Sequence, residues 1–215
     1  MKLNTGLLVL AALSVYLISC NSVYTPRPTG YFKIDFPPKA YRSFEKPGFP
    51  YSFEYPAYAN IVQDTGFFND QPENPYWINI DFPDFHGRIY ISYNPIGGTS
   101  TFKIKDEHGN YIDSTGVNTL TGLVKGAYEL TYKHAYKASF IDDSVFRTPL
   151  GVEGIYFKVG GNTATANQFL VTDSTRHFLR GALYFDATPN EDSLRVVNDF
   201  LREDMKHLIN TLQWR

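Results

Sequence analysis

Short segments in which apolar and polar residues alternate dominate the chain from about residue 51 onward. This alternation is typical of β-strands with one buried face, and turn-forming residues bound most of the segments. Residues 83–87 separate two of the segments by a short turn, which predicts a hairpin. We predict strands at 51–55, 76–81, 88–93, 139–147, 151–159, 166–172 and 176–186.

Two longer segments instead carry apolar residues at three- and four-residue spacing, the pattern of amphipathic helices. The first covers 118–139, and either Asn118 or Thr119 is suited to cap its N-terminus. Gly122 and Gly126 lie inside this segment, although glycine destabilises a helix interior by up to about 1 kcal/mol relative to alanine. We interpret the two glycines as positions where the helix packs closely on the sheet.

The second helix is predicted over 192–212, with Asn190 or Asp192 near its N-cap and a leucine-rich buried stripe. Strands, a helix, more strands and a final helix form an α+β arrangement, not an alternating βαβ one. We therefore predict a single α+β domain over residues 51–215, built on an antiparallel sheet flanked by helices.

The first residues form a different pattern, in which Lys2 is followed by an apolar run, Leu7–Ile18. A basic start, a short apolar stretch and a small residue before cleavage are the parts of a secretory signal peptide. The run is too short to span a bilayer of roughly 30 Å, which takes about 20 apolar residues. Leu17-Ile18-Ser19 precedes Cys20, the sole cysteine, as in a lipobox. Residues 1–19 are therefore predicted to be a lipoprotein signal peptide, with Cys20 as the lipidated N-terminus of the mature chain.

A lipid on Cys20 fixes a protein firmly to a membrane, because two or more acyl chains bind far more stably than one. The expected group is a diacylglyceryl on the sulfur, often with an N-linked chain such as palmitate. No second cysteine exists to form an intramolecular disulfide. No acidic cluster follows Asn21. We therefore favour a periplasm-facing anchor in the cell envelope, in the outer membrane over the inner.

Residues 20–50 are rich in proline and aromatic residues. Proline removes a backbone donor and biases the preceding residue towards extended geometry, so helix and central strand are disfavoured here. We interpret the segment as a semi-rigid linker with a reach of up to roughly 90 Å if fully extended. Within it, residues 30–36 alternate well enough to form an edge strand, docked either on this domain or on a partner.

The net charge and the aromatic content indicate which classes of molecule the protein can bind. Residues 1–19 contain one lysine and no acidic residue, so residues 20–215 carry 19 Lys+Arg against 22 Asp+Glu, a net charge of −3. A nucleic-acid partner is not expected, since phosphate binding needs a basic surface. The 16 tyrosines and 17 phenylalanines suit half-buried strands and protein interfaces. We expect most of them to pack in strands, with a dedicated aromatic binding patch as the alternative.

The sequence offers little catalytic chemistry. None of the five histidines forms the helical zinc pair, and neither a phosphate loop nor a nucleophile elbow occurs. His134 and His177 are expected to be surface or packing residues. Thr172-Asp173-Ser174 is compatible with a nucleophile, but these side chains also close turns by bonding their own backbone, and we favour the turn. No catalytic residue, metal ligand or cofactor is predicted.

An acidic loop and a charged residue within a predicted strand are the remaining candidates for a binding site. Asp64, Asp70 and Glu73 lie near Phe67 and Phe68 but lack the order of a calcium-binding loop. We expect a solvated loop, or a contact surface formed by the two phenylalanines.

Arg180 interrupts an apolar strand, on the predicted face of Phe178 and Ala182. We expect it to form an ion pair with Asp142 or Glu153, with the lining of a groove as the alternative.

Several blocks of the mature chain resemble one family in sequence and in order. The blocks are Tyr24–Asp35, Tyr51–Pro56, Trp77–Pro83, Ile89–Tyr93, Ala164–Phe169, Thr172–Ser174, His177–Phe185 and Asp199–Trp214. Together with the lipobox they resemble the gliding motility lipoproteins GldD; residues 103–115 match least. The resemblance implies a role in gliding and in export through the type IX secretion system, with other proteins of that machinery as partners. It implies no known catalytic activity, and Cys20 is the one functional residue it carries over. The order of elements is also similar to the Mog1/PsbP type of α/β/α sandwich.

These observations leave three hypotheses for the function. The first is a non-enzymatic lipoprotein that supports the gliding and secretion machinery by protein contacts. The second is a ligand-binding envelope module, which requires a concave pocket lined by aromatic and polar groups. The third is an envelope hydrolase, which requires His177, Asp173 and Ser174, or another histidine, to converge within hydrogen-bond reach.

Overall fold

A seven-stranded antiparallel sheet is the centre of the computed structural model, which describes residues 33–63 and 74–215. The elements are β1 (Tyr41–Phe44), β2 (Tyr51–Pro56), β3 (Asn60–Gln63), β4 (Ile78–Phe82), β5 (Gly87–Pro95), β6 (Thr99–Lys105), β7 (Tyr111–Val117), α1 (Leu120–Tyr132), β8 (Ala138–Arg147), β9 (Glu153–Gly161), β10 (Asn167–Thr172), β11 (His177–Phe185), α2 (Glu191–Thr211) and β12 (Gln213–Trp214). The strand order of the main sheet is β3-β4-β5-β11-β10-β9-β8, while β1-β2-β12 and β6-β7 pair separately.

The two helices cover opposite faces of the main sheet. Phe169 and Leu179 point into the larger core, which they share with α2. Their neighbours Leu170 and Phe178 point the other way, into a smaller core with Ala127 of α1. Because successive side chains of a strand alternate between faces, β10 and β11 must be apolar on both sides. The predicted α+β class, an antiparallel sheet flanked by helices, is confirmed, and the layers form an α/β/α sandwich.

Helix α2 follows the sequence prediction closely. The Asn190 side chain accepts a hydrogen bond from the Ser193 N–H at 3.1 Å, as an N-cap does. Its buried residues recur at helical spacing and face the larger core: Val197, Leu201, Asp204, Met205, Leu208 and Ile209. The apolar stripe therefore determines how this helix packs, and Asp204 is the exception within it.

Helix α1 is shorter than the predicted range 118–139, because the chain turns after Tyr132 and β8 begins at Ala138. Thr119 caps it by accepting the Gly122 N–H at 3.1 Å. The proposed close packing of its glycines on the sheet is wrong. A Cβ at Gly122 would meet Thr119 Oγ1, and a Cβ at Gly126 would have nothing within 4 Å.

The compact unit begins at Phe36, earlier than the predicted start near Tyr51. Residues up to Asp35 fall in a separate unit. Phe44 and Phe49, inside the predicted linker, belong to the larger core, because their rings pack on each other and on Tyr51. The edge strand predicted at 30–36 is not observed at positions 33–36, and its first three residues lie outside the described part.

The predicted hairpin around residues 83–87 is β4–β5, but a second hairpin, β6–β7, was not predicted. It carries exposed apolar side chains: Ile104, Tyr111, Ile112 and Val117. It leaves the main sheet where β5 ends, at Pro95. Phe36 packs on Phe85, beside the other end of β5. The chain therefore enters the domain at one end of a strand about 30 Å long and forms this exposed hairpin at the other.

Candidate functional site

The segment that enters the domain is fixed to α2 by a buried carboxylate. Asp204 is 1% exposed, and its Oδ1 accepts a hydrogen bond from the Tyr41 hydroxyl at 3.0 Å. Its Oδ2 accepts from the Tyr58 hydroxyl and lies 2.7 Å from the Lys39 ammonium. The ammonium also lies 3.3 Å from the centre of the Phe200 ring. We call Lys39, Tyr41, Tyr58 and Asp204 the entry clamp.

The two tyrosine hydroxyls of the entry clamp stay protonated near neutral pH. Burial, and then the hydrogen bond to Asp204, raise the pKa of Tyr41 to about 12. The same two causes raise the pKa of Tyr58 still further. Both hydroxyls therefore remain donors to the carboxylate.

Two of the predicted candidates cannot be placed in the fold. Cys20, the predicted lipidation site, lies outside the described residues. The acidic loop Asp64, Asp70 and Glu73, with Phe67 and Phe68, lies outside them as well.

The Thr172-Asp173-Ser174 segment is a turn, as predicted. Asp173 Oδ1 accepts the backbone N–H groups of Thr175, Arg176 and His177 at 2.8–3.0 Å. Ser174 has a positive φ of 63°, and its N–H is bound by Thr172 Oγ1. Burial alone would raise the pKa of Asp173, but these three amides lower it to about 2.

The Asp173→Asn variant is expected to lose roughly 2 kcal/mol of stability at pH 7, because the amide keeps the acceptor but removes the charge. A depressed folded-state pKa stabilises above the ordinary value near 4, and the stabilisation is lost as the pH falls through about 2. Urea unfolding of both proteins between pH 7 and pH 2 measures the difference. A difference that stays constant down to pH 2 would contradict this assignment.

His177 does not form a serine–histidine–aspartate relay with this turn. Its Nδ1 is 2.7 Å from the Tyr93 hydroxyl, and its ring stacks on Trp214 at 5.1 Å. Its Nε2 lies 4.0 Å from Asp173 Oδ2, beyond hydrogen-bond distance. No hydrogen bond between Ser174 and His177 occurs in the described structure. The convergence that the hydrolase hypothesis required is therefore not formed by these three residues.

Two of the remaining histidines pack against neighbouring side chains. His207 is hydrogen-bonded to Glu54 at 2.7 Å, and His134 packs beside Tyr184. Within residues 33–63 and 74–215, no group of three His, Cys, Asp or Glu side chains is arranged to hold a metal ion.

The ion pair predicted for Arg180 is wrong. Its guanidinium instead donates to Gln168 Oε1 and hydrogen-bonds to Tyr184. Glu153 pairs with Arg147 at 3.7 Å. The strand order explains the difference, because β9 and β8 lie two and three strands away from β11, about 10 and 14 Å. The predicted face is confirmed: Phe178 and Ala182 flank Arg180 on the α1 side.

Arg180 belongs to a polar region on the α1 side of the sheet. Residues directly opposite each other form one row across four strands: Asn79, Tyr90, Ala182 and Gln168. We call the following set the polar face: Asn79, Arg88, Tyr90, Gln168, Arg180 and Tyr184. Beside it a cleft of about 470 Å³ is lined by Asp81, Arg88, Tyr90 and Tyr184, among others.

Aromatic and charged groups alternate on the polar face. Tyr90 and Tyr184 meet edge to face at 5.6 Å, and the Arg88 guanidinium lies 5.6 Å from the Tyr90 ring centre. Arg88 is neutralised by an ion pair with Asp81. Arg180 has no such partner among the described carboxylates, although burial lowers its pKa and so opposes its charge.

Two buried polar atoms on this face lack a hydrogen-bond partner in the described structure, Asn79 Oδ1 and Gln168 Nε2. Asn79 is 5% exposed and Gln168 is fully buried. Sequence reasoning identified neither residue. The available signal was a polar side chain at an inward position of an otherwise apolar strand, as Asn79 between Ile78 and Ile80.

Comparison with known proteins places the chain in a family. Residues 21–214 match the model of the family described as gliding motility lipoprotein GldD. The match covers the segment after Cys20 and the whole domain up to Trp214. The class is therefore that of the gliding motility lipoproteins, which associate with the cell envelope. Within that class, the chain belongs to the GldD family.

Other comparisons add little. No curated protein matches the chain. The solution structure of cyanobacterial PsbP (CyanoP) from Synechocystis sp. PCC 6803 is similar over 88% of this chain and 100% of its own, with 10% identity and a TM-score of 0.43. Neither helix in residues 33–63 and 74–215 is both long and apolar enough to cross a membrane.

Proposed function

We propose that this protein is a non-enzymatic envelope lipoprotein that supports the gliding machinery and the associated type IX secretion system through protein contacts. The observation that carries the proposal is the family match over residues 21–214. Acyl chains on Cys20 anchor the mature chain, facing the periplasm and in the outer membrane in preference to the inner.

The geometry of the domain supports a contact role. The chain enters beside Phe36, where the entry clamp holds it against α2. The exposed hairpin β6–β7 begins at the opposite end of β5. Tyr111 and Val117 on this hairpin are 67% and 64% exposed, a surface that a protein partner can cover. The point where the chain enters the domain and this apolar surface therefore lie at opposite ends of β5.

Deletion of the gene is expected to abolish both surface spreading and the secretion of type IX substrates, because the machinery loses a supporting component. Colony spreading and the amount of substrate protein in the medium measure the two effects. Re-expression of the wild-type chain from a plasmid is the control and should restore both. Normal spreading and secretion in the deletion strain would refute the proposal.

A further inference from the structure

The polar face contains a positive charge that the fold does not neutralise. Arg180 is half-buried, hydrogen-bonded to Gln168 Oε1 and Tyr184, and without an ion pair to any described carboxylate. Removing a guanidinium from water is costly unless an anion and further hydrogen bonds compensate for it. Arg88 on the same face has such a carboxylate, Asp81. Arg88 therefore has an anionic partner within the fold, whereas Arg180 has none among the described residues.

The fold fixes the donors that Arg180 presents. Gln168 Oε1 accepts from the Arg180 guanidinium, so its amide orientation is determined and Nε2 is left without an acceptor. A guanidinium has five N–H donors in one plane, and two acceptors do not satisfy them all. Gln168 Nε2 thus lacks an acceptor, and the Arg180 guanidinium has more donors than these two acceptors bind. Native proteins rarely leave such buried donors unpaired without a reason.

The surroundings of Arg180 also match an organic acid. The rings of Tyr184 and Tyr90 form an aromatic wall beside the guanidinium, next to the open cleft. Asn79 Oδ1, an acceptor without a partner in the described structure, lies two strands across and two residues along from Arg180, or about 12 Å. A ligand with an acidic group at one end and a hydrogen-bond donor at the other would satisfy both.

We propose that the polar face binds a carboxylate, with the Arg180 guanidinium as its principal contact. The planar guanidinium pairs with a carboxylate through two parallel hydrogen bonds, which a lysine cannot reproduce. The carboxylate belongs either to a small organic acid or to the acidic side chain of an extended protein segment. The site extends the ligand-binding hypothesis and does not depend on the motility role.

The test is an NMR titration of the mature chain from residue 20, carrying Cys20→Ser so that it stays in solution. Acetate is the first probe and chloride at equal ionic strength is its control. Acetate is expected to shift the Arg180 Nε–H and Gln168 side-chain amide resonances saturably, with a dissociation constant of the order of 1 mM. Equal shifts in acetate and chloride would overturn the proposal, because they would reflect screening alone.

Variants of Arg180 test whether its guanidinium is the group that binds the carboxylate. Arg180→Gln should abolish the saturable shift, and Arg180→Lys should weaken binding about tenfold because the planar fork is lost. Arg147→Gln, which changes an exposed arginine on the edge strand β8, should bind acetate as the parent does. Unchanged binding by Arg180→Gln would refute the assignment. If both Arg180 variants fail to fold, the comparison of acetate with chloride on the parent decides.

A second titration distinguishes the source of the carboxylate. The probe is a short extended peptide with one glutamate, and its control has glutamine at that position. Binding at least about tenfold tighter than acetate, and lost in the glutamine peptide, would identify a protein segment as the ligand. Equal affinity for acetate and the glutamate peptide would identify a small acid.

Discussion

Asp204→Ala is expected to reduce the free energy of unfolding by about 3 kcal/mol, because it removes a buried anion from three donors, one of them the Lys39 ammonium. The carboxylate is fully buried and binds the Lys39 ammonium and the hydroxyls of Tyr41 and Tyr58. Those hydroxyls cannot substitute for it by ionising, since the pKa of Tyr41 is already raised to about 12. Urea unfolding measures the loss.

Asp199→Ala is the matched control on the same helix. Its carboxylate pairs with Arg202 at 2.7 Å, but the side chain is 51% exposed, and such surface pairs contribute at most about 1 kcal/mol. Asp204→Asn keeps an acceptor oxygen and should fall between the two. Equal losses for Asp204→Ala and Asp199→Ala would show that the entry clamp contributes no more than a surface ion pair.

Cys20→Ala is expected to abolish complementation of the deletion strain, because the mature chain loses every acyl chain that holds it at the membrane. One chain gives marginal, reversible binding and two or more give stable binding, so complete removal should release the exported protein. Membrane fractionation followed by immunoblotting measures the release, and colony spreading measures the function.

The domain itself is the control for this variant. The compact unit begins at Phe36, well after Cys20 in the sequence, so the released protein is expected to unfold at the same urea concentration as wild-type chain without its lipid. Full restoration of spreading by the Cys20→Ala protein, at equal abundance, would show that the anchor is dispensable and that the proposed mechanism is wrong.

The main strands and both helices could be predicted because their burial is regular. The alternation in β5, where Gly87, Ile89, Ile91 and Tyr93 are buried, and the helical stripe of α2 each reflect one buried face. The hairpin β6–β7 has no comparable signal, since β7 is exposed or half-buried at all of its positions. A strand without a buried face has no alternation to detect.

The N-terminal limit of the domain was misjudged for a different reason. Proline dominates the local pattern before Tyr51, and proline argues against regular structure. It does not argue against burial, and Phe44 and Phe49 are both only 8% exposed. Phe36 likewise stacks on Phe200, at 4.3 Å, without being part of any strand.

The polar face could not be predicted from the sequence, because it depends on the order of strands in the sheet. Asn79, Tyr90 and Gln168 are distant in the chain and become neighbours only when β5 pairs with β11. The same order separates Arg180 from Asp142 and Glu153, the partners expected from the sequence. Local patterns identify which face a residue occupies, whereas strand order identifies its neighbours.

The entry clamp also determines how mechanical load reaches the domain. A pull on a lipid-anchored chain acts first on the residues that precede β1. Lys39 and Tyr41 transmit that pull to Asp204, in the C-terminal half of the 21-residue helix α2. A force that enters through this segment is therefore expected to act on the whole packed helix α2 as well as on the four-residue strand β1.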